Sequence, residues 1–346
     1  MYKIVIIFVI LLARISFIQG QQNNILPQAI KWYSLEEAQK LVKENPKKIL
    51  IDFYTEWCGP CKMMFKNTYS NPVIINYINN NFYPVKFNAE GSDTVLFKDS
   101  TYYNNGYDKE KTGRNSTHSL TYILSNLNNS IKYPSTTFLD ENLNVLTVVQ
   151  GVIAPNEFLS ILIFFAEDVY KNIDFNAFNK NYINTFDTIP EIQKINWVSF
   201  EKALEIQKSE KKKILLYLYG EWNYSSKIMF NTTFSNQFIS DYINKNFICV
   251  NFNSISQDTL KYKDKIFINE NKGHPFHQFP VFLLQGVMKM PSSVLFDEEG
   301  NIITPIPGYF DPINYEVILN FFGGNIYKDK NTSWTQFKKD FSGFVK

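Results

Sequence analysis

Apolar positions in the first half of this chain switch between helical spacing and short unbroken runs. "SLEEAQKLVKENPK" opens on Ser34, carries Glu37 three residues later, and then keeps its apolar residues to one face, which predicts a capped amphipathic helix. "KKILIDFYT" is a continuous apolar run of the length a buried strand needs. A helix is expected from Cys58 to about Phe65, a second over "NPVIINYINNNF", and a strand over "YPVKFNAE". After a polar stretch, "HSLTYILSNL" predicts a helix, "STTFLDE" and "NVLTVVQGV" a hairpin pair, and "PNEFLSILIFFAEDVYK" a final helix. This order predicts an α/β fold with a mixed central sheet flanked by helices.

The pattern then returns. Residues 32–88 align with 197–253 without a gap, 27 of 57 positions being identical, and "YPSTTFLDE" at 133–141 is answered by "MPSSVLFDE" at 290–298. "FFAEDVYK" at 164 is answered by "FFGGNIYK" at 321, and each is followed by an aromatic-spaced segment that reads as a terminal helix. A unit this long is a duplicated domain rather than a solenoid repeat. The expected organisation is a first domain over 27–183, a linker over 184–194 where "NTFDTIPEIQK" loses periodicity, and a second domain over 195–346. A chain of 346 residues, 45% of them hydrophobic, is long enough for each half to bury a core of its own.

Charge adds little, since 35 basic and 33 acidic residues nearly cancel with no long single-sign run, which argues against nucleic acid as a partner. The N-terminus changes the picture more. "MYKIVIIFVILLARISFIQG" places Lys3 before an apolar run and ends on small and polar residues, the layout of a secretory signal over 1–20; Arg14 interrupts the run and weakens the reading as a membrane anchor. The mature protein is therefore expected in the periplasm or secreted. Cys58, Cys61 and Cys249 are the only cysteines, too few for a disulfide framework.

"ILIDFYTEWCGPCKMM", followed by a strand and then by "YPSTTFLDENLNVL", resembles the thioredoxin family. By residues alone a C-x-x-C also fits half a zinc site, but two further ligands nearby are not in view. The flanking "NTYSNPVIINYINNNFYPVKFNAEG" is most similar to secreted bacterial thioredoxin-like proteins related to the C-terminal domain of periplasmic disulfide reductases. The resemblance implies two tandem thioredoxin-like folds, arranged in a way similar to protein disulfide isomerases.

Cys58 is expected at the first turn of a helix, where unpaired N–H groups and the helix dipole favour a thiolate. Cys61 stands one turn further in, within reach of Cys58. Gly59 leaves room for a second chain, and Pro60 has a φ suited to a helix start. An inert staple is the competing reading, although staples usually close longer loops. By resemblance, Asp52 in "ILIDFY" is the buried acid that accepts the Cys61 proton, against the alternative of an exposed strand edge. Pro134 after Tyr133 matches the family's cis-proline beside the cysteines, and Trp57, Gly59, Pro60, Tyr133 and Pro134 are the expected substrate contacts.

In the second copy "EWNYSSK" replaces "EWCGPCK", and Tyr217 stands where Asp52 stands, so the cysteines and the acid are lost together. Asn223 remains a good helix cap. That copy reads equally as a docking domain, with Pro291 shaping a groove, or as a scaffold. His118 and His277, both opening the helix before the proline, read as caps, and "HPFH" at 274–277 as a metal pair lacks further ligands. Cys249 reads as a core residue, and the long polar segment 91–117 as either a functional lip or a disordered loop.

Together these imply an exported thiol-disulfide oxidoreductase that reduces or isomerises protein disulfides through Cys58 and Cys61. Disulfide-containing proteins would be its substrates and a membrane electron transporter its reductant, with no cofactor and no metal. The alternative is a non-catalytic, chaperone-like binding protein with a vestigial redox pair.

Overall fold

The computed structural model describes residues 29–186 and 194–345. The expected signal segment 1–20 and residues 187–193 of the expected linker lie outside the described residues.

The first half runs α1 (Leu35–Glu44), β1 (Lys48–Tyr54), α2 (Gly59–Asn67), α3 (Pro72–Asn81), β2 (Phe82–Asn88), a small hairpin of β3 (Val95–Phe97) and β4 (Ser100–Tyr102), α4 (Ser119–Leu124), β5 (Ser135–Leu139), β6 (Val145–Gln150), α5 (Pro155–Ala166) and α6 (Phe175–Phe186). α1 starts where the sequence places it: Ser34 accepts from the Glu37 amide while the Glu37 carboxylate accepts from the Ser34 amide. The sheet order is β2-β1-β5-β6, with β1 parallel to β2 and antiparallel to β5. β1 is central and its first six residues are buried, which is why it reads as an unbroken apolar run.

The second half repeats the plan: β7 (Trp197–Val198), α7 (Phe200–Glu210), β8 (Lys213–Tyr219), α8 (Tyr224–Thr232), α9 (Gln237–Asn246), β9 (Phe247–Asn253), β10 (Leu260–Tyr262), β11 (Lys265–Phe267), α10 (Gln278–Leu283), β12 (Ser292–Phe296), β13 (Ile302–Pro307), α11 (Pro312–Gly323) and α12 (Trp334–Asp340). Its sheet order is β13-β12-β8-β9-β7. The mixed sheets flanked by helices are those the sequence predicts. The segment 91–117 is an ordered lip: it contains the β3–β4 hairpin, and Asn104 Nδ2 ties its two ends together through the Gly91 carbonyl at 3.1 Å and the Ser116 carbonyl at 2.6 Å.

Each half keeps an apolar core of its own, around Ile49, Ile51 and Phe53 in the first and around Leu216, Phe279 and Phe296 in the second, but a further core is shared between them, which the sequence pattern does not predict. α5 is buried from Phe158 through Phe164, on every side rather than on one stripe. Such a helix needs cover opposite its own sheet. One apolar cluster accordingly runs from Leu50 and Phe138 in the first sheet, through Phe158 and Leu162 of α5 and Phe178 of α6, to Ile228 and Tyr309 of the second half. α6 lies against α8, with the Phe186 ring 5.9 Å from the Tyr224 ring, and Asn181 donates to the Tyr309 hydroxyl at 2.9 Å.

Two acids after α5 complete the junction. The half-buried Glu167 carboxylate accepts from the Tyr77 hydroxyl at 2.9 Å and from the backbone N–H groups of Tyr224 and Ser225 at 3.2 and 2.7 Å. Those amides form the first turn of α8, the place of the erased motif. Burial raises the Glu167 carboxyl above its usual range, against the pull of these hydrogen bonds. Asp168 binds Lys48 and Lys289 at 2.8 Å each, one from either half. Burial alone would raise the Asp168 carboxyl, but the hydrogen bonds from Lys289 and Lys48 outweigh it and hold it well below the usual range. In the repeat Glu167 is answered by Gly324, so this acid belongs to the junction and not to the domain pattern.

Removing the acceptor strands two amides and a tyrosine hydroxyl. Glu167→Ala is expected to lower the unfolding free energy by about 2 kcal/mol and Glu167→Gln, which keeps one carbonyl oxygen, by about half as much. Urea titration followed by tryptophan fluorescence measures both, and an unchanged midpoint in Glu167→Ala would show that the contact does not hold the halves together.

Candidate active site

The strand that delivers the cysteines ends at Tyr54, whose carbonyl accepts from the Ala89 amide at 2.8 Å, and the chain then turns so that the Cys58 N–H donates to the Thr55 carbonyl at 3.2 Å. Cys58 is extended and caps α2, its Sγ accepting from the Cys61 amide at 3.0 Å. A sulfur thus occupies the position where caps usually place an oxygen, facing the unpaired amides of the first turn. Cys58 and Cys61 are joined as a disulfide with their Cα atoms 5.3 Å apart. Both are buried, at 1% and 7% exposure, while Gly59 and Pro60 between them are exposed. A Cβ on Gly59 would meet nothing within 4 Å, so packing within this chain does not demand glycine there and the space above it is open to a second chain.

Asp52 lies inside β1 at 2% exposure, rather than at an exposed edge. Tyr69 donates to its Oδ1 at 3.3 Å and also meets Thr136 Oγ1 at 3.1 Å. Burial pushes the Asp52 carboxyl up to about 7, with the Tyr69 hydrogen bond and the charge of Lys86 pulling the other way. A cavity of about 400 Å³ lined by Asp52, Thr55, Cys61, Phe65 and Lys86 joins the acid to the second cysteine. Lys86 pairs with Asp52 in strand register, and its Nζ sits 4.2 Å from the Phe65 ring centre and 4.5 Å from that of Tyr54.

The Tyr133–Pro134 bond is cis, and the Pro134 carbonyl accepts from the Gly151 amide at 2.8 Å. Among the described residues no backbone hydrogen bond engages Tyr133. Its ring meets that of Trp57 edge to face at 6.2 Å. Trp57 Nε1 donates to Glu90 Oε2 at 2.8 Å, and the Arg114 guanidinium stacks on the indole at 4.3 Å. Tyr69, Lys86, Glu90 and Arg114 escape the sequence reading. Lys86 alone had a signal, as a charge on the strand neighbouring Asp52.

In the second copy Asn223 Oδ1 accepts from the Ser226 amide and hydroxyl, both at 2.7 Å, and from the Ser225 hydroxyl at 3.0 Å. Tyr217 fills the place of Asp52 and donates to the Ser226 carbonyl at 3.0 Å. Met290–Pro291 is cis here too. His118 and His277 are caps: their Nδ1 atoms accept from Leu120 and Phe279 amides at 3.1 and 3.0 Å, and their Nε2 atoms lie 2.8 and 2.9 Å from backbone carbonyls. Both nitrogens of His277 are thereby engaged with backbone groups. Cys249 is a buried free thiol in β9, pushed up to about 12 by burial.

Among curated proteins, the chain is 56% identical over 34 residues to "Thioredoxin-3, mitochondrial" of Saccharomyces cerevisiae, covering 10% of this chain and 26% of that one. It is 32% identical over 68 residues to "Thioredoxin-T" of Drosophila melanogaster, covering 17% and 43%. The chain thus spans less than half the length of either relative. Among solved structures it is similar to "DsbH Oxidoreductase", with a TM-score of 0.30 and 14% identity over 42% of this chain and 89% of that one. The C-terminal domain of DsbD from Neisseria meningitidis, in its reduced form, gives a TM-score of 0.25 and 16% identity over 37% and 90%. The family description "Thioredoxin-like domain" matches residues 35–166 and again 200–323, most of the chain, and the protein therefore belongs to the thioredoxin-like domain family, with two copies of the domain of which the first alone has the paired cysteines.

Proposed function

We propose that this protein is an exported thiol-disulfide oxidoreductase that reduces or isomerises protein disulfides. The observation that carries the reading is the Cys58–Cys61 disulfide at the first turn of α2, with the buried Asp52 reaching Cys61 through a cavity. In the reduced protein the Cys58 thiolate, favoured by the helix terminus, attacks one sulfur of the substrate disulfide and the other sulfur leaves as a thiolate. The Cys61 thiol gives its proton to the Asp52 carboxylate and attacks Cys58 Sγ. This releases the substrate as a dithiol and leaves Cys58 bonded to Cys61. Two electrons pass from the protein's thiols to the substrate, and a dithiol donor returns them; in the periplasm a membrane electron transporter fits that part. Trp57, Gly59, Pro60, Tyr133 and Pro134 border the attack site, and the backbone of Tyr133 offers its N–H and carbonyl to an extended substrate.

Export rests on the N-terminal sequence, and among the described residues no helix is long and apolar enough to cross a membrane. The second copy is assigned a structural part, supported by Glu167 and α6 occupying the place of the erased centre. A purely chaperone-like protein would leave insulin reduction by dithiothreitol at its background rate. We expect acceleration above background, and its loss in Cys58→Ser. Cys61→Ser should accumulate mixed disulfides with protein substrates on non-reducing gels. Failure of both the acceleration and the trapping would overturn the reading.

Asp52 supplies a pH test. Its folded value of about 7 lies above the ordinary 3.8, so the folded state holds an extra proton between those values and stability falls as pH rises through that window. Asp52→Asn should therefore stabilise the oxidised protein at pH 8 by roughly 2–4 kcal/mol and much less at pH 4. The same variant should slow insulin reduction about tenfold or more at pH 8, where wild-type Asp52 is free to take the Cys61 proton. Denaturant titrations at the two pH values and a pH–rate profile check both effects; equal stability shifts at pH 4 and pH 8 would contradict a buried, raised acid.

A further inference from the structure

Arg114, in the lip, has no part in the chemistry above. Its guanidinium lies 4.3 Å from the ring centre of Trp57, the residue before Cys58, and Arg114 itself is exposed with no ion pair among the described residues. Stacking fixes the plane of a guanidinium while leaving its N–H edges free, and those edges match a carboxylate in a two-pronged contact.

The lip is built to hold this group. Gly113, at φ +97°, makes the turn that an L side chain rarely adopts and precedes Arg114 directly. Asn115 follows, its amide donating to Glu90 Oε2 at 2.7 Å and its side chain bracing Asp108 through bonds of 3.0 and 2.7 Å. Glu90 Oε2 also takes the Trp57 indole N–H at 2.8 Å, so its charge is already engaged in fixing the ring.

The blank copy serves as an internal control. Ala89 and Ser254 are equivalent, each donating to the end of the central strand and accepting from the capping histidine. Counting from them, Ile255 stands in place of Glu90; counting back four residues from His118 and His277, Gly273 stands in place of Arg114. Trp222 survives, yet it meets Phe276 at 6.0 Å instead of a cation. The cation and the acid that positions its platform occur only in the copy that has cysteines.

We propose, on the oxidoreductase reading of the previous section, that Arg114 determines substrate preference by taking a carboxylate beside the target disulfide, so that disulfides flanked by acidic residues are reduced faster than those flanked by basic ones. The test uses the full chain, with dithiothreitol as donor and the uncatalysed rate subtracted. Two peptides of equal length, each with one internal disulfide, have Glu or Lys on both sides of the cysteines, and the readout is the ratio of kcat/KM for the acidic to the basic peptide.

Wild type should favour the acidic peptide about three- to tenfold at low salt, an exposed charge-assisted contact being worth no more, and less so at high salt. Arg114→Gln should bring the ratio to about one, and Arg114→Glu should invert it. A loss that falls equally on both peptides would mean that the arginine only supports the lip, and would overturn the proposal, as would a wild-type ratio within twofold of one. Bis(2-hydroxyethyl) disulfide separates this failure from a deeper one. If wild type reduces that uncharged compound but shows no acidic preference, the specificity proposal alone falls; if it reduces none of the three, the oxidoreductase reading falls and takes the proposal with it.

Discussion

A helix that follows a buried strand begins with N–H groups that have no partner in the helix, and both halves of this molecule are organised around how that need is met. In α2 the cap is a sulfur: Cys58 Sγ receives the Cys61 amide, and the positive end of the helix dipole falls on that sulfur. In α8 the cap is the amide oxygen of Asn223, and two more amides are taken by Glu167, an acid from the other half of the chain. One backbone demand is thus met by a cysteine sulfur in one copy and by an anchorage to the other half in the second.

The substitutions between the copies follow from this difference. Pro60 has no N–H to give, which suits a turn left open to a second chain; Ser225 in its place restores the donor that Glu167 binds. Asp52 in a central strand is costly when charged, and its carboxyl sits near neutrality because burial opposes ionisation. In the copy without cysteines no acid stands there, and Tyr217 fills the volume while its hydroxyl satisfies the Ser226 carbonyl. Glu167 would in turn serve nothing at the end of the second copy, where Gly324 stands.

Most of what is local in this structure was legible in the sequence, the short β3–β4 and β10–β11 hairpins being exceptions. Ser34 with Glu37, the run around Asp52, the cysteine spacing and the proline before the hairpin all act within a few residues or through one repeating period, and a pattern shows both. The junction was not legible, because its contacts join residues about 60 to 140 positions apart: Glu167 with Ser225, Asn181 with Tyr309, Asn172 with Tyr309. A lone glutamate after an apolar helix looks like any solvent-facing charge. Its mismatch with Gly324 was visible in the repeat, but a single difference between two copies does not say which partner it serves. Arg114 was hidden for another reason: a long polar segment gives no period from which to infer that Gly113 and Asn115 bring it back over Trp57.

Helix α5 explains why a copy without chemistry stays attached. An amphipathic helix on the face of a sheet finishes a small domain, since its polar side meets water. α5 has no polar side between Phe158 and Phe164, and the one hydroxyl there, Ser160, is turned to Asn179 of α6. α6 covers it in part and then itself needs cover, which α8 and Tyr309 supply. The apolar surface of α5 and α6 therefore closes on the second half. The second copy is thus held by packing, and the first turn of its α8, where the first copy has its cysteines, binds Glu167 instead.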